Sequence, residues 1–295
     1  MMNEPDIPGP DRAVLPASRR LPAGSCDSHA HVFGSATQYP FDFQRQYTPP
    51  VASRDDYLHL LRTLGFERAV LVQPSVYGTD NRCLVDVLRE SARAPAGIQW
   101  RAVAVLDANV EDDALSLLHD LGVRGVRINR VFGGGTDMRS VRRLAARIAP
   151  FGWHLQFLVD ISRHKGFSLA LSELPVDSVI DHFGHMPARL GAGHPAFVDL
   201  LALMQEKRTW VKLSGPSRIT SAKQIPYNDV DPLARALIEA APEQLLFGTD
   251  WPHVKLPTEM PNDGQLLDEF RRWTDNDPTV ERHLLVNNPG RLYGF

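Results

Sequence analysis

At 295 residues, with 43% hydrophobic and 23% charged side chains, the chain is long enough to bury a substantial core, and α/β barrels reach this size as one domain. Its 32 basic and 35 acidic residues leave a formal charge of -3, so neither sign dominates enough to favour nucleic acid or an anionic membrane surface, and a small-molecule partner is the default expectation. The two cysteines, Cys26 and Cys83, exclude a disulfide framework and a four-thiolate zinc site and point to a reducing, cytoplasmic compartment.

Residues 1–23 are polar and proline-rich, with no apolar signal-like run, and no stretch of the chain is apolar for long enough to span a bilayer. They are expected to form a flexible or surface-draped arm ahead of one domain over 24–295. The first strand, 25–33, contains Cys26-Asp27-Ser28-His29-Ala30-His31-Val32-Phe33. Strand alternation sends His29 and His31 from one face and Ser28 and Ala30 from the other, so two imidazoles converge on one small volume. A Gly-, Pro- and aromatic-rich loop follows, suited to a lid or binding role, and Ser53 or Asp55 then caps a helix apolar at Tyr57, Leu58, Leu60, Leu61 and Leu64.

Seven further apolar runs predict strands at 68–75, 100–106, 123–129, 153–159, 178–183, 209–214 and 244–249. Helical periodicity is clear at 83–94, 112–122, 140–150 and 231–241, and two helical segments follow the last strand. Eight apolar strands alternating with helices predict an α/β fold closed as a distorted (β/α)8 barrel, because parallel strands buried on both faces read as continuous hydrophobic runs. An open doubly wound sheet would place a Gly-rich phosphate loop after its first strand. Histidines stand there instead, and Gly133-Gly134-Gly135 lacks the spacing of a nucleotide motif.

With the strands numbered, the unusual polar residues fall at their carboxyl ends: His29 and His31, Ser75, Arg127 and Asn129, His182, Ser214 and Asp250. Barrel enzymes place catalytic groups there, since the strand fixes direction and the loop gives access. The motifs DSHAHVFG, QRQYTPP, LVQPSVYGTDN, GVRGVRIN, VIDHFGH, VKLSGPSRIT, LLFGTDWPH and NPGRLYGF, in this order, resemble the amidohydrolase superfamily, its amidohydrolase-2 group, and the branch of 2-pyrone-4,6-dicarboxylate lactonases. The resemblance covers nearly everything from Cys26 to Phe295.

It implies Asp250 as the general base that takes a proton from water, with His29, His31 and His182 around the lactone carbonyl. An ionised carboxylate accepts and can align water, whereas imidazole N–H groups can donate to a developing oxyanion. Arg127 is the candidate to hold a substrate carboxylate through two parallel hydrogen bonds. Tyr47, Ser75 and Arg218 match positions that face substrate in the resembling lactonases. Two departures stand out. Arg130 comes earlier than the second arginine of that pattern, whose place Gly133-Gly134-Gly135 takes, and a tyrosine expected on the fifth strand is Phe157 or Leu158. A sulfonated muconolactone or a sugar-acid lactone therefore fits as well as the pyrone.

Binuclear amidohydrolases need a lysine or glutamate on strand four and a histidine ending strand five. This chain offers Arg127-Ile128-Asn129 and Gln156-Phe157-Leu158, with His154 too deep. A mononuclear Zn2+ on His29, His31, His182 and Asp250 is chemically open, but Arg127 opposes a divalent ion and the resembling lactonase works without metal, so a metal-independent site is expected. The expected protein is thus a lactonase of aromatic-compound catabolism acting on an acidic lactone, as a monomer or homodimer. Alternatives are a zinc-dependent decarboxylase of the same family, a lactone isomerase, and a catalytically silent ligand-binding barrel.

Overall fold

A computed structural model describes residues 5–129, 138–164 and 166–295. Among them the apolar runs become eight parallel strands, each paired with the next: β1 (Cys26–Ala30), β2 (Arg68–Val72), β3 (Gln99–Ala104), β4 (Val123–Asn129), β5 (His154–Leu158), β6 (Ser178–Ile180), β7 (Thr209–Leu213) and β8 (Leu245–Phe247). The helices are α1 (Arg54–Leu64), α2 (Arg82–Arg93), α3 (Asp112–Asp120), α4 (Met138–Ile148), α5 (Phe167–Ser172), α6 (Pro195–Gln205), α7 (Asp231–Ala240), α8 (Asp263–Trp273), α9 (Pro278–Arg282) and α10 (Asn288–Tyr293). Of the two candidate caps for α1, Ser53 is used. Its hydroxyl accepts from Asp56 N at 3.1 Å while the Asp56 carboxylate accepts from Ser53 N at 3.0 Å, and Gly65 ends the helix at φ 87.

The barrel closes between its first and last strands through backbone bonds just beyond β8. Asp250 N donates to His29 O and His31 N donates to Trp251 O, both at 2.8 Å. The bonds that shut the barrel therefore also seat His29, His31 and Asp250 side by side. Most strands end sooner than the apolar runs predict: β1, β2 and β6 stop three residues early, at Ala30, Val72 and Ile180, and β3 and β8 two residues early, at Ala104 and Phe247. In β6 the cause is a left-handed turn, with His182, Phe183 and Gly184 at φ 52, 57 and 74.

Strand residues facing the helices, such as Ala69, Leu71, Val126, Leu155 and Phe157, join the main apolar core. Inward residues Cys26, Val70, Val72, Val103, Val179, Trp210 and Leu246 pack with Tyr293 as a second cluster that fills the amino-terminal end of the barrel. Toward the carboxyl ends the inward positions turn polar: Gln156, Lys212 and Ser214 are buried with Arg127, Asp181 and His29.

The segment before β1 lies against α8 and α9. Leu15 N donates to Asn262 Oδ1 at 3.0 Å, Ser18 Oγ to Asp268 at 2.6 Å, and Arg19 pairs with Glu281. Among the described residues, no helix is long and apolar enough to cross a membrane.

Candidate active site

The His-x-His motif is not a plain alternating strand. The β1–β2 register slips by one residue between Asp27 and Ala30, a bulge that leaves Ser28 on the side of Cys26, its hydroxyl 3.7 Å from Sγ, while His29 and His31 still share a face. Their ring centroids lie 5.0 Å apart, and that of His182 is 4.6 Å from His29. Asp250 and His182 both adopt left-handed backbone, at φ 67 and 52, which costs a non-glycine residue about 1–2 kcal/mol. The turns aim their side chains at the histidines of β1. Between them runs Gly215 (φ +55), where an added Cβ would sit 2.9 Å from His182 Nδ1 and 3.0 Å from Asp250 Oδ2. Only glycine lets the loop after β7 approach that closely.

All the predicted catalytic groups converge on one atom. Asp250 Oδ1 is 3.9, 4.0 and 3.7 Å from the Nε2 atoms of His29, His31 and His182. These separations exceed a hydrogen bond, and both Oδ1 and His29 Nε2 are buried without a partner among the described residues. Such a gap suits an oxygen atom of water or substrate. The other carboxylate oxygen is taken, with Arg218 Nε donating to Oδ2 at 2.6 Å. Burial pushes the Asp250 carboxyl up, but Arg218, His182 and His29 outweigh it and hold the group well below the usual carboxylate range. The imidazoles are neutral: burial, aided by Lys212 at His29 and by Arg127 at His31, drives both down, His31 to about 4, and burial drives His182 well down against Asp250.

Arg127, on β4, is 5% exposed; it donates to Gln73 O at 3.2 Å and lies 3.5 Å from Asp181 Oδ2. With Ser75, Gln73, Asn129, Arg45 and Arg143 it lines a cleft of about 470 Å³. Tyr47, from the loop after β1, is buried and hydrogen-bonded to Ser75, and burial pushes its phenol up against the opposing pull of Ser75, Arg218 and Arg127. The structure thus brings Tyr47, Ser75, Arg127 and Arg218 to the rim of the histidine cluster. Arg130 and Gly133-Gly134-Gly135 lie outside the described residues. Where a strand-five tyrosine was expected, Phe157 faces outward against Phe167, ring centroids 5.6 Å apart, which leaves Leu158 as the inward residue.

Three site residues escaped sequence reasoning. Lys212 on β7 is wholly buried and bonds Ser28 O and Gln156 Oε1, each at 2.8 Å, and His29 Nδ1 at 3.3 Å. Burial lowers its ammonium to about 8, with Asp181 pulling the other way, so the group is charged near neutrality. Asp181 is held low by Lys212 and Arg127 against burial, and Gln156 Nε2 donates to its Oδ2 at 3.2 Å. The available signal was a lone lysine in TWVKLS and an acid in VIDHF, each within an apolar run.

A mononuclear divalent metal would draw on His29, His31, His182 and Asp250. Ligand atoms of His29, His31 and Asp250 lie within 4.8 Å of one another, as do those of His29, Asp181 and His182. A metal-bound histidine needs a hydrogen-bond acceptor at its other nitrogen. His31 has one, Val72 O, 2.7 Å from Nδ1. At His29 Nδ1 the Lys212 ammonium, which can only donate, competes at 3.3 Å with the Asp181 carboxylate at the same distance and holds the hydrogen bond, and Arg218 already neutralises Asp250. The set matches zinc in donor type but does not fit it in protonation and charge.

Comparison with known proteins finds relatives over nearly the whole chain. A family model for amidohydrolases matches residues 26–295. A 2-pyrone-4,6-dicarboxylate hydrolase of Comamonas testosteroni is 39% identical over 289 residues, 93% of this chain and 91% of its own. A 4-sulfomuconolactone hydrolase of Rhizobium radiobacter is 36% identical over 297 residues, 98% of this chain and 96% of its own. A crystal structure from Agrobacterium tumefaciens shares the fold with a TM-score of 0.84 at 24% identity, covering 95% of this chain and 98% of that one.

Proposed function

The chain belongs to the amidohydrolase family, and from that membership we propose that it is a lactonase that opens the ring of an acidic lactone with water activated by Asp250. One observation carries the reading: a buried carboxylate oxygen with no partner among the described residues, ringed at 3.7–4.0 Å by three buried imidazoles. Water held there gives a proton to Oδ1 as its oxygen bonds the lactone carbonyl carbon. Imidazole N–H stabilises the resulting oxyanion, and collapse breaks the ring C–O bond, with the proton passing from Asp250 to the departing oxygen. Arg127 orients an anionic group of the substrate from the adjoining cleft, helped by Tyr47, Ser75 and Arg218. We read the reaction as metal-independent, since Lys212 and Arg218 take the places a metal's supporting groups need. The substrate class spans 2-pyrone-4,6-dicarboxylate, sulfomuconolactone and sugar-acid lactones, products of aromatic or sugar-acid breakdown.

The test is a spectrophotometric assay of such lactones before and after chelation, paired with elemental analysis. Activity without stoichiometric metal is expected. One zinc per chain, with activity lost on its removal, would reassign the histidines as ligands. On a confirmed substrate Asp250→Asn should lower kcat about 10²–10⁴-fold with binding retained, while Arg127→Met should mainly raise KM. Wild-type turnover by both variants would refute the assignment, and a lactone product in place of an open-chain acid would make the enzyme an isomerase.

A further inference from the structure

The His-x-His motif holds two imidazoles whose outer nitrogens meet opposite partners. His31 Nδ1 is 2.7 Å from the carbonyl of Val72, which only accepts, so this ring carries its proton on Nδ1 and turns a lone pair on Nε2 toward Asp250. His29 Nδ1 lies 3.3 Å from both Lys212 Nζ and Asp181 Oδ1, a donor and an acceptor in competition for one nitrogen.

Counting protons decides between them. The Lys212 ammonium has three hydrogens and, within hydrogen-bond reach, three acceptors: Ser28 O and Gln156 Oε1 at 2.8 Å, and His29 Nδ1. Were His29 protonated on Nδ1, that nitrogen would confront an ammonium hydrogen, and a wholly buried cation would lose a third of its hydrogen bonds. Asp181 Oδ1, the oxygen facing His29, has no hydrogen-bond partner among the described residues, but the carboxylate is held through its other oxygen and by charge. Gln156 Nε2 donates to it at 3.2 Å, Arg127 Nε lies at 3.5 Å, and Lys212 at 3.9 Å supplies charge.

We propose that Lys212 is a positioning residue that fixes His29 as the Nε2–H tautomer, so that the two histidines of one motif do opposite work. Resting on the lactonase reading, the roles divide as follows. His29 Nε2–H donates to the lactone carbonyl oxygen and to the oxyanion it becomes. His31 Nε2 and Asp250 Oδ1 are two acceptors for the two hydrogens of the attacking water, of which only the one on Asp250 is transferred. The buried Lys212 ammonium adds positive charge behind the donor, which favours the oxyanion further.

The test is a two-bond 1H–15N spectrum of the full-length protein labelled with 15N-histidine at neutral pH, with His29 assigned by its loss in His29→Gln. His29 protonated on Nε2 and His31 protonated on Nδ1 is the expected result. An Nδ1-protonated His29 in the wild-type protein overturns the proposal, whatever variants fold. In Lys212→Met the His29 proton should move to Nδ1 and bond Asp181, and kcat should fall about 10²-fold with KM unchanged. A folded Lys212→Met with its His29 tautomer and kcat intact overturns it equally. The spectrum needs no substrate, so an Nε2–H His29 in a protein that opens no lactone would sustain the tautomer assignment and refute only the activity.

Discussion

Asp250 combines two demands that pull apart. A general base must accept a proton, yet Arg218, 2.6 Å from Oδ2, holds its carboxyl low and so weakens it as an acceptor. Arg218 is also a candidate for the anionic group of the substrate, and a guanidinium drawn toward that group would leave Asp250 more basic when a lactone is present. Removing the cation should have the same effect permanently. In Arg218→Met the depressed pKa of Asp250 rises toward the ordinary carboxylate value, and those of His31 and His182, which Arg218 also lowers, rise with it, so the acid limb of the kcat/KM profile should move to higher pH, while KM for carboxylated lactones increases. A pH–rate profile from pH 3 to 8 (about five decades of proton activity) checks this, and an acid limb that stays in place would mean that Arg218 does not control the base.

Strand ends, rather than single side chains, fix the relative placement of the site. Gly248, just past β8, runs so close to β1 that an added Cβ would meet His29 N at 2.8 Å and His29 Cβ at 2.6 Å. The obstacle is backbone, which cannot rotate away, so Gly248→Ala should cost about 1–3 kcal/mol of stability and shift His29 enough to reduce kcat. Urea unfolding and steady-state kinetics on the one variant test both, and wild-type values would show that the barrel closure is looser than its hydrogen bonds imply. The closure also explains what could be read beforehand. Eight apolar runs betrayed the barrel, and His29, His31, His182 and Asp250 could be placed because each follows a run whose end is visible in the chain. Lys212, Gln156 and Asp181 could not, because in a strand buried on both faces alternation says which residues share a side but not which side is inward. The left-handed turn that cuts β6 short was hidden for a related reason: of its residues, only Gly184 announces positive φ.

Burial of neutral imidazoles makes the assembled barrel sensitive to acid. His29, His31, His182 and His154 are all essentially buried, and burial lowers every one of them below the ordinary histidine value of 6.5. A histidine whose folded pKa is depressed contributes stability that is present above its unfolded pKa and lost as pH falls toward the folded one. His154 isolates the effect from the site, since it sits at the amino-terminal end of β5, edge-on to Tyr293 with centroids 5.4 Å apart, and neither ring nitrogen has a partner among the described residues. With its pKa lowered from 6.5 to about 3, lowering the pH from 7 to 5 should remove about 2 kcal/mol through this residue alone. His154→Leu replaces the ring with an apolar group of similar size that cannot titrate. Its urea midpoint should therefore drop less than that of the wild type over the same interval, by an amount equivalent to about 2 kcal/mol, whatever the variant's stability at neutral pH. Equal losses in the two proteins would mean that His154 is solvated or protonated in the folded barrel, and the acid sensitivity would then have to come from the histidines around Asp250.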